Sequence, residues 1–192
     1  AGNKNIAFDS VEVFEREKKG KVKTYVHTLL EIKSLSKKKK FSVISDLKKI
    51  TSKRKNILNL KFDTPKIMGV LNVTPDSFSD GGLYLNEFKA FSKGSEMIND
   101  GATIIDIGGE STRPGSKTVE ETKEWGRVKN VIKKLKKKFP KLILSLDTRK
   151  SYVMKKGIDN GINIINDISG LNYDKKSFET INSKKIPFVL NH

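Results

Sequence analysis

From position 66 onward, hydrophobic residues form short continuous runs separated by longer stretches of mixed character. The runs cover residues 67–71, 103–107, 142–146, 162–165 and 188–190. Short continuous apolar runs are typical of strands that are buried on both faces, as in parallel sheets. The alternation of such runs with amphipathic stretches therefore predicts an α/β fold built from five parallel β/α units.

The stretches between the runs carry signals for helices. Asn86 is placed to cap the first helix, and Thr118 with Glu121 has the spacing of a capping box for the second. Residues 150–160 and 174–183 predict two shorter helices. These helices would connect consecutive strands, as parallel pairing requires.

Residues 1–65 follow a different pattern. Apolar residues flank residues 17–21, which predicts a β-hairpin, while residues 41–50 predict a short helix and residues 57–62 a further strand. The segment contains 17 Lys and Arg against seven Asp and Glu, so it carries +10 of the formal net charge of +17. We predict a small α+β accessory segment at residues 1–65, packed on the amino-terminal side of a barrel domain at residues 66–192.

The net charge of +17 would suit a nucleic-acid-binding protein, but the kind of basic residue argues against one. Only five of the 39 basic residues are arginines, whose planar fork suits base and phosphate contacts. The lysine runs also lack the interleaved aromatic residues that stack on bases. We interpret the lysines as a solvated surface whose positive field attracts anionic small molecules, and nucleic acid is not an expected partner.

Neither a membrane nor an oxidising compartment is indicated by the sequence. No apolar run approaches the roughly 20 residues that span a bilayer, and residues 1–10 lack the pattern of a secretory signal. The sequence contains no cysteine, which excludes disulfides and thiolate catalysis. We expect a cytoplasmic protein that acts on small molecules and has no membrane partner.

Each predicted strand has a polar residue at its carboxyl end. These residues are Asn72, Asp106, Asp147, Asn166 and Asn191, the last followed by His192. In a (β/α)₈ barrel the carboxyl ends of the strands surround the mouth at which ligands bind, so five such residues at equivalent depth predict a polar ring above an apolar floor. The alternative for any single position is a residue that starts a turn or caps the following helix.

Three stretches are more specific than this general pattern. They are residues 68–82, MGVLNVTPDSFSDGG; residues 106–115, DIGGESTRPG; and residues 145–150, SLDTRK, together with residues 164–170, IINDISG. In this order they resemble the two signature loops and the pterin-contacting strand ends of dihydropteroate synthases, over about residues 66–192. The resemblance implies a TIM (β/α)₈ barrel and a transferase of folate biosynthesis. Such an enzyme condenses p-aminobenzoate with dihydropterin pyrophosphate, giving dihydropteroate and pyrophosphate, and uses Mg²⁺.

The resemblance places the pterin at three strand ends, those of Asp147, Asn166 and Asp106. The chemistry of the first two agrees, because the amino-pyrimidinone edge of a pterin offers adjacent N–H donors and a carbonyl acceptor. Asp147 suits the donors, and Asn166 carries both a donor and an acceptor for the neighbouring edge. Two alternatives remain: Asp147 as the N-cap of the following helix, and a structural role for Asp106.

The first loop and the strand before it supply the predicted metal and reaction site. Asn72 offers a neutral oxygen to Mg²⁺ or to a pyrophosphate oxygen, and Asp80 is a better candidate than Asp76 to approach the metal or the reacting carbon. Phe78 is expected to form a wall for the p-aminobenzoate ring. Asn72 and Asp80, with Arg113 of the second loop, are the predicted catalytic residues. The alternative is a polar turn with a surface phenylalanine.

The second loop is predicted to hold an anion. The hydroxyl of Thr112 and the guanidinium of Arg113, with Pro114 beside them, suit a pyrophosphate or the carboxylate of p-aminobenzoate. Gly108 and Gly109 would allow backbone amides to approach the anion closely. The implied chemistry is electrostatic assistance to a leaving group, without a covalent enzyme intermediate.

The sequence also departs from the pattern of complete family members. A (β/α)₈ barrel typically takes about 250 residues, whereas five strands are counted here and the family's later lysine and arginine signatures have no counterpart. We therefore expect a barrel that is incomplete at the C-terminus, inactive as this isolated fragment, and a homodimer only at full length. Two other interpretations are a pterin-binding methyltransferase-type domain, which the two loops disfavour, and a noncatalytic pterin- or anion-binding protein.

Overall fold

The computed structural model describes residues 7–18, 20–52, 56–74, 83–111 and 115–191. The chain divides into two compact units, Ala1–Lys55, here called the N-terminal unit, and Asn56–His192, here called the sheet unit. None of the helices within the described ranges has the length and apolar character that crossing a membrane would require.

The N-terminal unit is built around the predicted hairpin, which is confirmed. Strand β1 (Ser10–Arg16) pairs antiparallel with β2 (Val22–Thr28). Helix α1 (Leu29–Ser34) follows directly, and its start is fixed by a capping box between Thr28 and Glu31. Helix α2 (Lys37–Thr51) covers the predicted helix at residues 41–50 and extends it in both directions.

The strand predicted at residues 57–62, in the sheet unit, is wrong. Only one bridge forms there, between Ile57 and Leu60, and the two residues between them have positive φ angles of 51° and 65°. Positive φ turns the backbone back on itself, so the segment cannot extend as a strand. Of its hydrophobic residues, Leu60 alone is buried, against Ile104 and Ile164.

The sheet unit contains one five-stranded parallel sheet, which confirms the five strands predicted from the apolar runs. Its strands lie in chain order: β3 (Met68–Asn72), β4 (Ile104–Gly108), β5 (Ile143–Asp147), β6 (Ile164–Asp167) and β7 (Phe188–Leu190). Four helices connect them: α3 (Leu83–Asn99), α4 (Glu121–Lys138), α5 (Ser151–Asp159) and α6 (Ser177–Lys184). Sequential parallel strands with a helix after each of the first four are the arrangement of consecutive units in a (β/α)₈ barrel.

Both predicted helix caps are wrong. Helix α3 begins at Leu83, so Asn86 lies inside its first turn. Helix α4 is capped by Glu120, whose carboxylate accepts hydrogen bonds from the backbone N–H groups of Thr122 and Lys123. A glutamate next to the first helical residue outcompetes Thr118 because it reaches two orphan N–H groups and carries a full negative charge at the helix N-terminus.

Alternate residues of the strands face the helices and form the main core. The fully buried strand residues on this face are Leu71, Ile105, Ile107, Leu144, Leu146 and Ile165. They pack against apolar positions of α4 and α5, which include Val128, Ile132, Leu135, Val153 and Met154. Burial of each such side chain stabilises the folded state by about 1.5–3 kcal/mol, which makes the sheet a firm support for its other face.

Candidate functional site

The opposite face of the sheet, here called the inner face, brings most of the predicted polar residues together at the carboxyl ends of the strands. Backbone register pairs Asn72 with Gly108, Gly108 with Asp147, and Asp147 with Asn166. Since paired residues of parallel strands point to the same side, Asn72, Asp147 and Asn166 form one row. The polar row predicted from the strand ends is therefore present for these three residues.

Two members of the predicted ring lie at other depths. Strand β4 continues to Gly108, so Asp106 lies inside the strand and pairs with Ser145, one layer below the row. Strand β7 ends at Leu190, and Val189 occupies the position opposite Asn166, so Asn191 lies beyond the row. The expectation of equivalent depth is thus wrong for Asp106 and Asn191, because glycine and valine occupy the row in their strands.

Gly108 keeps the space between Asn72 and Asp147 open. A β-carbon at this position would lie 3.3 Å from Oδ1 of Asn72 and 3.5 Å from Oδ2 of Asp147. Both oxygens therefore border the same small volume above the backbone of β4. This volume is a natural place for a group that both a neutral amide oxygen and a carboxylate can bind.

The layer below the row contains buried polar atoms without a hydrogen-bond partner among the described residues. Asn166 donates a hydrogen bond from Nδ2 to Oδ2 of Asp106 over 2.9 Å. The other oxygen of Asp106 and the hydroxyl of Ser145 are both buried, and neither has a hydrogen-bond partner among the described residues. A buried polar atom without a partner costs about 1–3 kcal/mol, so this pair favours a bound ligand or water that completes it.

The carboxyl of Asp147 has a raised pKa. Burial raises the pKa of its carboxyl to about 7, and the negative charge of Asp106 adds to the shift, followed by those of Glu124, Asp167 and Glu110. At neutral pH the carboxyl is thus poised between its charged and neutral forms. A group that provides N–H donors would favour the charged form and bind there.

The alternative role of Asp147 as a helix cap is wrong. The N-cap position of α5 is Lys150, three residues later, and its side chain makes no capping hydrogen bond. The first N–H group of the helix, that of Ser151, donates instead to Asp174 over 2.8 Å. The carboxylate of Asp147 therefore remains on the inner face.

A buried ionic cluster beside the site was not predicted. It consists of Glu110, Glu124, Arg149 and Lys150, here called the charge cluster. The ammonium of Lys150 contacts both glutamates, and Nη2 of Arg149 lies 2.7 Å from Oε1 of Glu110. Burial alone would raise the pKa of Glu110, but the hydrogen bonds from Lys150, Val119 and Arg149 outweigh it and lower that pKa.

One sequence signal could have revealed the cluster. Glu124 lies four residues before Val128 on α4, in line with the buried apolar face of that helix, and its side chain is 1% exposed. A charge on an apolar helical face predicts a buried partner. The identity of that partner, Lys150, is set by the fold, because 26 residues separate the two.

Several predicted site residues lie outside the described residues. They are Phe78 and Asp80 of the first loop, Thr112, Arg113 and Pro114 of the second, and His192. Their assignments stay predictions. Within the described part of the chain, no group of three or more His, Asp or Glu side chains is arranged to hold a metal ion.

Comparisons with known proteins agree with this geometry. Residues 68–192 match the sequence model of the family described as pterin binding enzyme. The chain is 48% identical to the dihydropteroate synthase of Bacillus subtilis over 126 residues, which are 66% of this chain and 44% of that protein. The chain therefore spans about half the length of the relatives it matches.

Two solved dihydropteroate synthases show the same fold. The Clostridium difficile enzyme, solved in the presence of pteroic acid, has a TM-score of 0.64 at 42% identity, over 67% of this chain and 48% of that one. The Xanthomonas albilineans enzyme with 4-aminobenzoic acid has a TM-score of 0.65 at 41% identity, over 69% and 49%. The predicted α/β barrel fold is confirmed as the corresponding part of such a barrel. Because the family match covers well over half of its length, the chain belongs to the family of pterin-binding enzymes.

Proposed function

We propose that this protein is a dihydropteroate synthase, which joins p-aminobenzoate to dihydropterin pyrophosphate and releases pyrophosphate. The observation that carries the proposal is the set of polar groups on the inner face, at Asp147, Asn166 and Asp106. Oδ1 of Asp106 and the hydroxyl of Ser145 are buried there without a hydrogen-bond partner among the described residues. The similar proteins were solved with pteroic acid and with 4-aminobenzoic acid, which are the product side and one substrate of this chemistry. In domain terms, residues 66–192 would bind the pterin and residues 1–65 would be accessory.

The inner face suits the flat, polar edge of a pterin. The ring nitrogen and the exocyclic amine are adjacent donors, which a carboxylate such as that of Asp147 accepts together. Asn166 is held by Asp106 in a fixed orientation, so it would read the next edge of the ring rather than rotate freely. The buried hydroxyl of Ser145 lies in the layer below and would support a ring atom or a water beneath it.

Mg²⁺ is the cofactor that the family resemblance implies, and the described residues fit it in part. Asn72 directs Oδ1 toward the volume above Gly108, and Asp147 borders the same volume. Mg²⁺ is usually held by one or two protein oxygens and by substrate phosphates, so a single strong protein ligand is compatible with the ion. We propose Asn72, with Asp80 of the first loop, as the protein ligands. When bound, the ion would neutralise charge on the departing pyrophosphate.

The reaction then needs orientation and electrostatics from the protein itself. Asp147, Asn166 and Asp106 would hold the ring at its amino-pyrimidinone edge, which leaves the exocyclic methylene on the opposite side of the ring free to react. A carbon–nitrogen bond forms between the methylene and the arylamine as the carbon–oxygen bond to pyrophosphate breaks, and the amine proton passes to solvent. Thr112 and Arg113 are proposed to hold the anionic groups, with Phe78 and Pro114 beside the arylamine ring.

A direct assay tests the proposal. Protein purified at its native length is incubated with dihydropterin pyrophosphate, p-aminobenzoate and Mg²⁺. Dihydropteroate is measured by mass spectrometry, and binding of 6-hydroxymethylpterin is measured by calorimetry. We expect turnover and binding in the wild type, and loss of both in Asp147→Asn. The exposed Asp159→Asn on α5 is the matched control and should behave as wild type.

The same assay separates the second candidate function. That candidate is a noncatalytic pterin-binding protein, whose recognition of the ring would rest on the same polar groups of the inner face. Binding without dihydropteroate formation would support that candidate and overturn the synthase proposal. Absence of both would overturn pterin recognition by the inner face.

A further inference from the structure

The charge cluster is balanced and almost entirely removed from water. Glu110, Glu124 and Lys150 are 8%, 1% and 6% exposed, and Arg149 is partly buried beside them. Two carboxylates and two cations give a neutral set, which offsets the cost of burying each charge. The pterin chemistry proposed above uses none of the four side chains, so their burial needs a separate explanation.

The cluster closes the segment between residues 110 and 119 at both ends. Oε2 of Glu110 accepts a hydrogen bond from the backbone N–H of Val119 over 2.9 Å, across nine residues. Nη2 of Arg149 contacts Oε1 of Glu110 and lies 3.4 Å from the hydroxyl of Thr118. The segment begins at Glu110 and ends at Val119. The buried carboxylate of Glu110 therefore fixes both ends of the segment.

The beginning of the segment is also locked against helix α4. A β-carbon on Gly109 would lie 2.8 Å from the carbonyl oxygen of Glu124 and 3.1 Å from a methyl group of Val128, so strand and helix touch here. Arg127 of the same helix donates from Nη1 to the carbonyl oxygen of Gly109 over 2.7 Å. These contacts leave little freedom at residues 109 and 110.

The other half of the cluster belongs to the strand that carries Asp147. Arg149 and Lys150 lie two and three residues after Asp147, just before helix α5, whose N-cap position is Lys150. The guanidinium of Arg149 also lies 4.0 Å from the ring centre of Tyr173, which restricts its movement further. The cluster thus joins Glu110, Thr118 and Val119, which lie at the two ends of this segment, to the residues that follow β5.

We propose that Glu110 and Lys150 are positioning residues, whose ion pair sets where Glu110 and Val119, the two ends of the segment 110–119, lie relative to the end of β5. This inference rests on the proposed function, in which Thr112 and Arg113 of that segment hold the anionic groups of the substrates. The inference predicts that loss of the ion pair raises the KM for p-aminobenzoate, while the affinity of the inner face for the pterin is unchanged.

Two variants test the inference with a readout that is independent of turnover. Glu110→Gln keeps the shape of the side chain but removes the charge, and Lys150→Met removes the ammonium while keeping the aliphatic stem. Amide hydrogen exchange should become at least about tenfold faster at Val119 and its neighbours, because a charge-assisted hydrogen bond is lost. The exposed Glu179→Gln and Lys155→Met are the matched controls and should exchange as wild type does.

Kinetics provide the second readout. In both variants we expect the KM for p-aminobenzoate to rise about tenfold or more, with kcat and the dissociation constant for 6-hydroxymethylpterin changed less than about threefold. If Lys150→Met fails to fold because the buried Glu124 is left without a cation, Lys150→Met combined with Glu124→Gln restores a neutral cluster and carries the same test.

The outcomes are decisive in both directions. Faster exchange confined to residues 111–119, with the selective rise in KM, supports the inference. Unchanged exchange at Val119 in Glu110→Gln, or an increase spread evenly over β4, β5 and α4, overturns it. If the wild type forms no dihydropteroate, the proposed function fails, whereas the exchange experiment still decides whether the cluster holds the segment.

Discussion

Nδ2 of Asn166 donates to Oδ2 of Asp106 over 2.9 Å, which links β6 to β4 across the strand that lies between them. That middle strand, β5, ends in Asp147. The carboxylate of Asp147 therefore lies beside the amide of Asn166, and the carboxylate of Asp106 lies one layer below it. The negative charge of Asp106 therefore helps to raise the pKa of Asp147.

Replacing Asp106 by asparagine should lower the pKa of Asp147 toward its ordinary value. Burial is the largest cause of the raised pKa and stays in place, but the charge of Asp106 is the next largest and is removed. Asparagine keeps an oxygen to accept from Asn166, so the hydrogen bond survives. Carbon-13 NMR titration of the Asp147 carboxyl measures the change, and Asp159→Asn is the control. An unchanged pKa would show that Asp106 does not act on Asp147.

Pterin binding should depend on pH in the range where Asp147 titrates. The charged carboxylate accepts the N–H donors of the pterin, and its pKa of about 7 means that protonation removes this acceptor as the pH falls. The dissociation constant for 6-hydroxymethylpterin should be about tenfold higher at pH 6 than at pH 8, as for a ligand that binds only the ionised form. Calorimetry over this range makes the measurement. A flat profile in the wild type would exclude Asp147 as the acceptor.

The carboxyl of Asp147 should also lower the free energy of unfolding as the pH rises. The folded protein holds a proton on Asp147 up to about pH 7, whereas the unfolded chain releases it near the ordinary value of 3.8. Between these pH values the folded state binds more protons, so its contribution to the free energy of unfolding falls with increasing pH. Asp147→Asn, which cannot titrate, should be more stable than wild type by about 1–3 kcal/mol at pH 8 and nearly equal to it at pH 4. Urea unfolding at both pH values checks the difference; an equal difference at both would contradict it.

The sheet and the row of Asn72, Asp147 and Asn166 could be predicted from the sequence because both depend on local pattern. Apolar runs mark buried strands, and parallel strands in register bring their ends to one edge. The depth of Asp106 could not be predicted, since β4 continues through Gly108, which adds no hydrophobic signal.

The charge cluster escaped prediction for a different reason. Glutamate and lysine are usually solvent-exposed, and 40 residues separate Glu110 from Lys150. Only the fold brings them together. The strand expected at residues 57–62 did not form because positive φ angles at Leu58 and Asn59 turn the chain, so that Leu60 alone of its hydrophobic residues is buried.

Glycine at position 157 should be essential for stability rather than for binding. A β-carbon there would lie 2.4 Å from a methyl group of Leu146, so α5 could not keep its contact with β5. Gly157→Ala should lower the free energy of unfolding by about 1–3 kcal/mol, as overpacking in a core does. Thermal unfolding measures the loss. Gly126→Ala on the exposed side of α4 is the control, because nothing lies within 4 Å of its new β-carbon, and it should stabilise the protein by about 0.5–1 kcal/mol.

Glycine at position 108 should matter for ligand binding rather than for stability. Its new β-carbon would meet Oδ1 of Asn72 at 3.3 Å and Oδ2 of Asp147 at 3.5 Å, distances that small side-chain shifts accommodate. Gly108→Ala should therefore change the free energy of unfolding by less than about 1 kcal/mol, since no core contact is displaced. The methyl group would, however, fill the volume that the two oxygens border, and the dissociation constant for 6-hydroxymethylpterin should rise at least about tenfold, or 1.4 kcal/mol. Unfolding and calorimetry on the same sample separate these effects. Unimpaired binding in a stably folded variant would mean that the ligand does not use the space above Gly108.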